Sequence, residues 1–213
     1  MRNHVRHLAA SALLFTSFAV QAQSFEGTIE FTKTTGPVVT NYRYFVKGGH
    51  VRIEEISSKG NVQGIMLVDT REKSVTALSP DRRLYMDVPN MRLPKDVKAE
   101  MKKTEETKQL VGYACEKWTV KSPVDDRQIT YWVAQDAFDF FVPLLETLNR
   151  KDEQAVFFLK MEDTKGVFPM LGIEQKLDGS EAPSCVTLSF AFWPSTSARL
   201  SAICPAGNPK QTG

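Results

Sequence analysis

Histidine is nearly missing from this sequence: there are three, and His4 and His7 stand at its very start. Beyond residue 22 only His50 is left, so any Ser-His-Asp or Cys-His arrangement would have to use it. His50 lies in "KGGHVRIEE", beside a Gly-Gly turn, and reads as an exposed turn histidine. A histidine-rich metal site is thereby excluded, and a cysteine-only site would need all three thiols. No Gly-rich phosphate loop follows a strand, and no cofactor is implied. Charge of one sign is also missing. The formal net charge of +2 falls to 0 when Arg2 and Arg6 are set aside, so the electrostatic footprint of a nucleic-acid binder is absent. After the first residues, no run is long and apolar enough to span a bilayer.

The start itself, "MRNHVRHLAASALLFTSFAVQAQS", has a positive n-region (Arg2, Arg6) and a short apolar stretch from Leu8 to Val20. Val20-Gln21-Ala22 then places small residues at the −3 and −1 positions of a cleavage site. This is the pattern of a secretory signal peptide, predicted over residues 1–22. No cysteine follows closely, which speaks against a lipid-anchored lipoprotein. Removing 22 residues from 213 leaves 191, enough for one domain with a sizeable core. The expectation is a single domain over 23–206, a flexible tail over 207–213, and a periplasmic or secreted location.

From Ser24 onward the sequence reads as strand after strand. "FEGTIEFT" alternates Phe25, Gly27, Ile29 and Phe31 with polar residues, as a half-buried strand does. "NYRYFVKGGHVRIEEIS" predicts a hairpin about Gly48-Gly49, and "VQGIMLVDTREKSVTALSP" another with its turn at Asp69 to Lys73. "RRLYMDV" adds a short strand. "PNMRLPKDVKAEMKKTEETK" then reads as a long charged connection, of the kind often used as a mobile lid. The strands resume with "KQLVGYACEKWTVKS", a turn at "PVDD", and "RQITYWVAQ"; "GVFPMLGIEQKL" and "CVTLSFAFW" follow later.

One segment departs from this pattern. In "QDAFDFFVPLLETLNR", Phe138, Phe141, Val142, Leu145 and Leu148 fall on one face of a helix. Asp136 is the expected N-cap, Asp139 suits the first turn, and Pro143 predicts a kink or break. "EQAVFFLKM" fits a short helix or a strand equally. The predicted class is mainly β: an antiparallel sheet of roughly ten strands interrupted by one or two helices.

The order of motifs resembles a family of secreted bacterial proteins of unassigned function. "FEGTIEFT", "YRYFVKGGHVRIE" and "MLVDTREKSVTALSPDRRLYM" resemble its first half, and "TEETKQLVGYACEKWTV" with "ITYWVA" its middle. "GVFPMLG" and "LSAICPAG" resemble its later turns, although Cys204 stands where another residue is common. The resemblance covers nearly all of 25–206. It implies a Lol-like fold, similar to periplasmic lipoprotein carriers: a curved antiparallel half-barrel wrapped around a helix, with an apolar concave side. It carries over no catalytic residue.

Three cysteines permit three single pairings in an oxidising compartment. Cys185 and Cys204 bracket the last strand and the returning tail with 18 residues between them, and their disulfide is the favoured pairing, worth roughly 3 kcal/mol. Cys115 is left over, in mid-strand without a CxxC partner, and reads as a buried structural thiol. The adjacent carboxylates Glu54-Glu55 and Asp125-Asp126 point to opposite faces of a strand and read as surface and turn groups. No enzyme follows from these residues.

A binder has more to rest on. The helix stripe of Phe138, Phe141, Val142, Leu145 and Leu148, with flexible Met91 and Met101 in the charged connection, would form an apolar ligand site. Burying about 300 Å² of acyl chain would give roughly 7 kcal/mol gross. The expected partner is a lipid or acylated lipoprotein. The alternative is an envelope interaction or stress-related protein whose core is filled and whose sheet edge binds another protein.

Overall fold

The computed structural model describes residues 24–89, 98–149 and 153–191, with backbone alone for 181–191. Eleven strands and two helices follow one another. The strands before the charged connection are β1 (Gly27–Thr35), β2 (Val38–Lys47), β3 (His50–Ile56), β4 (Val62–Asp69), β5 (Ser74–Ser79) and β6 (Leu84–Asp87). After it come β7 (Glu100–Leu110), β8 (Tyr113–Ser122), β9 (Arg127–Gln135), α1 (Phe141–Leu148), α2 (Glu153–Phe158), β10 (Val167–Gln175) and β11 (Glu181–Ala191).

All strands pair antiparallel in the order β6-β5-β4-β3-β2-β1-β11-β10-β9-β8-β7. The sheet is curved and not closed into a barrel, so the described strands leave two edges, β6 and β7. Two consecutive meanders are joined through β11, which bridges β1 and β10. β6 and β7, consecutive in the chain, therefore stand at the two ends of the strand order.

Register follows the alternation in the sequence. Ile29, Tyr44 and Ile53 stand opposite one another across β1, β2 and β3, and all three are buried on the inner face. On the outer face the same three strands carry Glu30, Arg43 and Glu54 in register. Arg43 donates to Glu30 at 2.6 Å, and Arg52 donates to Glu54 at 2.6 and 2.9 Å. This corrects the surface reading of Glu54: it is buried, because two guanidinium groups cover and satisfy it, while Glu55 beside it is exposed. Asp125 does sit in a turn, accepting the Ser122 hydroxyl at 2.7 Å.

The charged connection is shorter than the sequence suggested. Residues 100–110 form β7, an edge strand with a bulge between Lys103 and Thr107. Its residues are mostly exposed, so no inside-outside alternation of hydrophobicity marks it. Charge and a bulge are what protect an unpaired sheet edge.

Both helices lie against the inner face. α1 packs over β4 and β5, and α2 packs on β9 and β10, where the Tyr131 hydroxyl donates to the Gln154 carbonyl at 2.7 Å. Two apolar clusters result. The larger joins Ile29, Tyr44, Val51 and Val68 to Phe138, Phe140, Leu144 and Phe168. The smaller joins Trp118, Val120, Ile129 and Tyr131 to Phe157 and Phe158, and Phe141 touches both.

Candidate functional site

The site begins at the entry to α1. Phe25 donates its amide to the Ala137 carbonyl at 2.7 Å, which ties the start of β1 to the segment before the helix. Phe138 is fully buried there, with ring centroids 5.2 Å from both Phe25 and Phe168. It is a core residue and not part of the helix.

The helix starts at Phe141, with Phe140 as its N-cap and no side-chain cap. The expected N-cap role of Asp136 and the first-turn role of Asp139 are thus corrected: both precede the helix, and the Asp136 carbonyl accepts from the Phe138 amide at 2.9 Å. Pro143 breaks nothing. It is the third residue of the helix, where an amide would have no partner within the helix. Asn149 ends the helix in the left-handed region (φ 43°), and its amide returns to the Leu145 carbonyl at 3.0 Å. The segment that sequence left undecided is helix α2, with Gln154, Val156, Phe157 and Phe158 buried.

Between the helices and the sheet lies an apolar cavity of about 100 Å³. Phe141, Leu145 and Leu148 of α1 form one side, and Gln154, Ala155 and Phe158 of α2 another. The sheet contributes Phe31 and Lys33 from β1, Tyr42 and Tyr44 from β2, Tyr131 from β9, and Phe168, Pro169 and Gly172 from β10. Aromatic rings brace two of these walls. Phe31 stacks on Tyr42 at 5.1 Å and meets Tyr44 edge-on at 4.8 Å. Phe141 meets Phe158 at 5.1 Å and Phe168 at 4.6 Å, both edge-to-face. Rings held in this way keep a gap open, because they cannot collapse into it without losing their mutual contacts.

Polar groups in the wall are held for structure. Burial, with Glu174 and Glu153 adding to it, pushes the Tyr131 hydroxyl well above its ordinary pKa. Gln154 rests directly over Gly172: a Cβ on Gly172 would come 2.8 Å from its Oε1 and 3.6 Å from the Tyr131 ring.

Of the residues singled out from sequence, Phe141, Leu145 and Leu148 come together on the cavity. Val142 is partly buried against the smaller cluster instead. Met101 also packs there, from β7 opposite Val120, and so belongs to a strand and not to a mobile lid. Met91 lies outside the described residues, as does Cys204. Cys185 is placed on β11, opposite Thr34 and Ile173.

Sequence reasoning missed the wall formed by Phe31, Lys33, Tyr42 and Tyr44. The alternation in "FEGTIEFT" gave the inward direction of Phe31, but not that it faces a gap. Gly172, inside a strand, was a readable sign of a close approach.

Cys115 is free and buried, opposite Lys108 and Ala134. Burial pushes its thiol up to about 11, against weaker opposing effects of the Leu110 backbone and Lys108. It stays protonated at neutral pH and is a poor nucleophile there.

No curated protein matches the chain. A solved structure described as "Structure of PNGF-II in P21 space group" is 12% identical, with a TM-score of 0.39, over 83% of this chain and 29% of that chain. This chain therefore spans under a third of that structure's length, and the likeness is too loose to carry an argument. Residues 25–187 match the family described as a domain of unknown function (DUF4412), and the chain belongs to that family.

Proposed function

We propose that the protein is an exported, non-catalytic binder or carrier of an apolar acyl chain, presented as a lipid or on an acylated lipoprotein. The supporting observation is the cavity of about 100 Å³ between α1, α2 and the sheet, walled mainly by aromatic and aliphatic side chains. Concave apolar sites with few polar groups are the common form of small-ligand sites. That volume suits a short run of methylenes, so the rest of a longer chain would lie along the mouth. Periplasmic or secreted location after cleavage near Ala22, a Lol-like arrangement of the sheet, and a Cys185–Cys204 disulfide belong to the same reading.

Uptake of a fluorescent fatty-acyl probe by the purified protein tests it, together with mass spectrometry of co-purified lipid. Phe141→Asp should abolish uptake. Leu145→Met, a volume-conserving change expected to cost below about 1.5 kcal/mol, should retain it. A wild type that takes up no probe and holds no lipid refutes the reading.

A second reading has its own support. β6 is an edge strand on which Leu84, Tyr85 and Met86 are 61%, 78% and 63% exposed. An apolar edge of this kind suits addition of a strand from an envelope protein partner. Crosslinking at Tyr85 with loss of the partner in a Tyr85→Lys variant would favour it over the acyl-chain site.

A further inference from the structure

We propose that the β6 edge pairs with the β6 edge of a second copy of this chain, antiparallel about a two-fold axis at Tyr85. This rests on the edge-strand reading, names the partner within it, and is independent of the acyl-chain site.

Among the described strands the sheet has two edges, and they are finished differently. β7 carries charge and a bulge, whereas β6 pairs with β5 in unbroken register and exposes Leu84, Tyr85 and Met86. Ile53, Met66, Ala77 and Met86 stand in one row across β3 to β6, so Met86 and Leu84 carry the apolar inner face out to the edge. Tyr85 and Asp87 belong to the outer face, where Asp87 accepts the Thr76 hydroxyl at 2.9 Å.

The main chain of β6 is phased for a further strand. Val88 donates its amide to the Val75 carbonyl at 2.8 Å. By the alternation of an antiparallel ladder, Leu84 and Met86 share that direction, while Tyr85 and Asp87 turn their amides and carbonyls to the free edge.

Charge then selects the partner and the register. Arg82 and Arg83 precede β6 and Asp87 ends it, all three exposed. Antiparallel pairing of two copies sets basic end against acidic end, whereas parallel pairing sets like against like. With the two-fold at Tyr85, Arg83 stands beside the partner's Asp87 and Leu84 faces the partner's Met86 on the inner side. Tyr85 meets its own counterpart through two main-chain hydrogen bonds. A second copy supplies this complementary order of side chains by symmetry.

Four residues make a small interface, in the range below about 1,200 Å² that transient complexes use. The dimer should therefore be reversible, with Kd on the order of 10 μM. Sedimentation equilibrium of the purified protein at low salt, over a range of concentrations, measures it. Arg83→Asp and Asp87→Arg should each weaken the dimer about tenfold, because the two-fold repeats every charge contact. Combining the two substitutions should restore wild-type affinity. Tyr85→Pro removes an amide that faces the edge and not β5, so it should abolish the dimer; should that variant not fold, the charge exchange decides alone. A wild type that stays monomeric, or a dimer that the combined substitutions fail to restore, overturns the self-pairing. Either result leaves the edge to an envelope protein, and absence of any crosslink at Tyr85 is what refutes the edge-strand reading itself.

Discussion

Two lines of side chains run along α1, one residue apart, and they meet different surroundings. Phe140, Leu144 and Thr147 are 4%, 0% and 1% exposed, closed in by the larger core cluster and by the Thr147 hydroxyl donating to the Pro143 carbonyl at 2.7 Å. Phe141, Leu145 and Leu148, at the same spacing, are half-buried and border the cavity. Both lines avoid water, but only one is fully packed by protein. Apolar periodicity therefore identifies which helix residues leave solvent, and it cannot say whether protein or a gap receives them.

The largest expected effect breaks the packed line. Leu144→Ala should cost about 2–5 kcal/mol of stability, as truncation of a fully buried leucine does. The urea midpoint of unfolding measures it. Gly172→Ala comes next, at about 1 kcal/mol, the low end of overpacking, because the new methyl meets the end of the Gln154 side chain, which must shift. Its cavity should also narrow, and weaker uptake of the acyl probe would show this.

Leu145→Ala on the cavity line should cost only about 1 kcal/mol, since the side chain is half-buried and little packing is lost. Its effect on probe affinity should exceed its effect on stability, and the reverse ratio is expected for Leu144→Ala. That inversion is the signature of the two lines.

Cys115 gives the smallest and most local effect. Peptide mapping after treatment with a thiol reagent at neutral pH should find it unmodified in the folded protein and modified in urea. Its folded pKa of about 11 lies above the unfolded value near 9.0. The thiol's contribution is therefore fully present below pH 9.0 and is lost as pH rises through about 11. Comparison with Cys115→Ala over that range isolates the contribution.

Much of the fold was legible because strands with one buried face write their register into the sequence. Phe25 to Phe31, the Gly48-Gly49 hairpin (φ of +57° at Gly48) and the turn before Ser74 all stand where alternation and turn chemistry put them. β7 was not legible, because it is an edge strand with most residues in water and so carries no alternation. The start of α1 was misplaced for a related reason. Phe138 continues the helical period, but it is anchored to Phe25 and Phe168 by ring contacts made far along the chain. Half of the cavity shared this fate: α1's contribution came from local spacing, whereas Phe31, Tyr42 and Lys33 reach it through long-range pairing.

The most direct test of the acyl-chain site is a methyl NMR titration of the purified protein with palmitate, read at Leu144, Leu145 and Leu148. Saturable shifts at Leu145 and Leu148, with intermolecular contacts from the acyl chain to their methyls and none to Leu144, are the predicted result. Unperturbed Leu145 and Leu148 methyls, or contacts confined to Leu84 on the β6 edge, would contradict it.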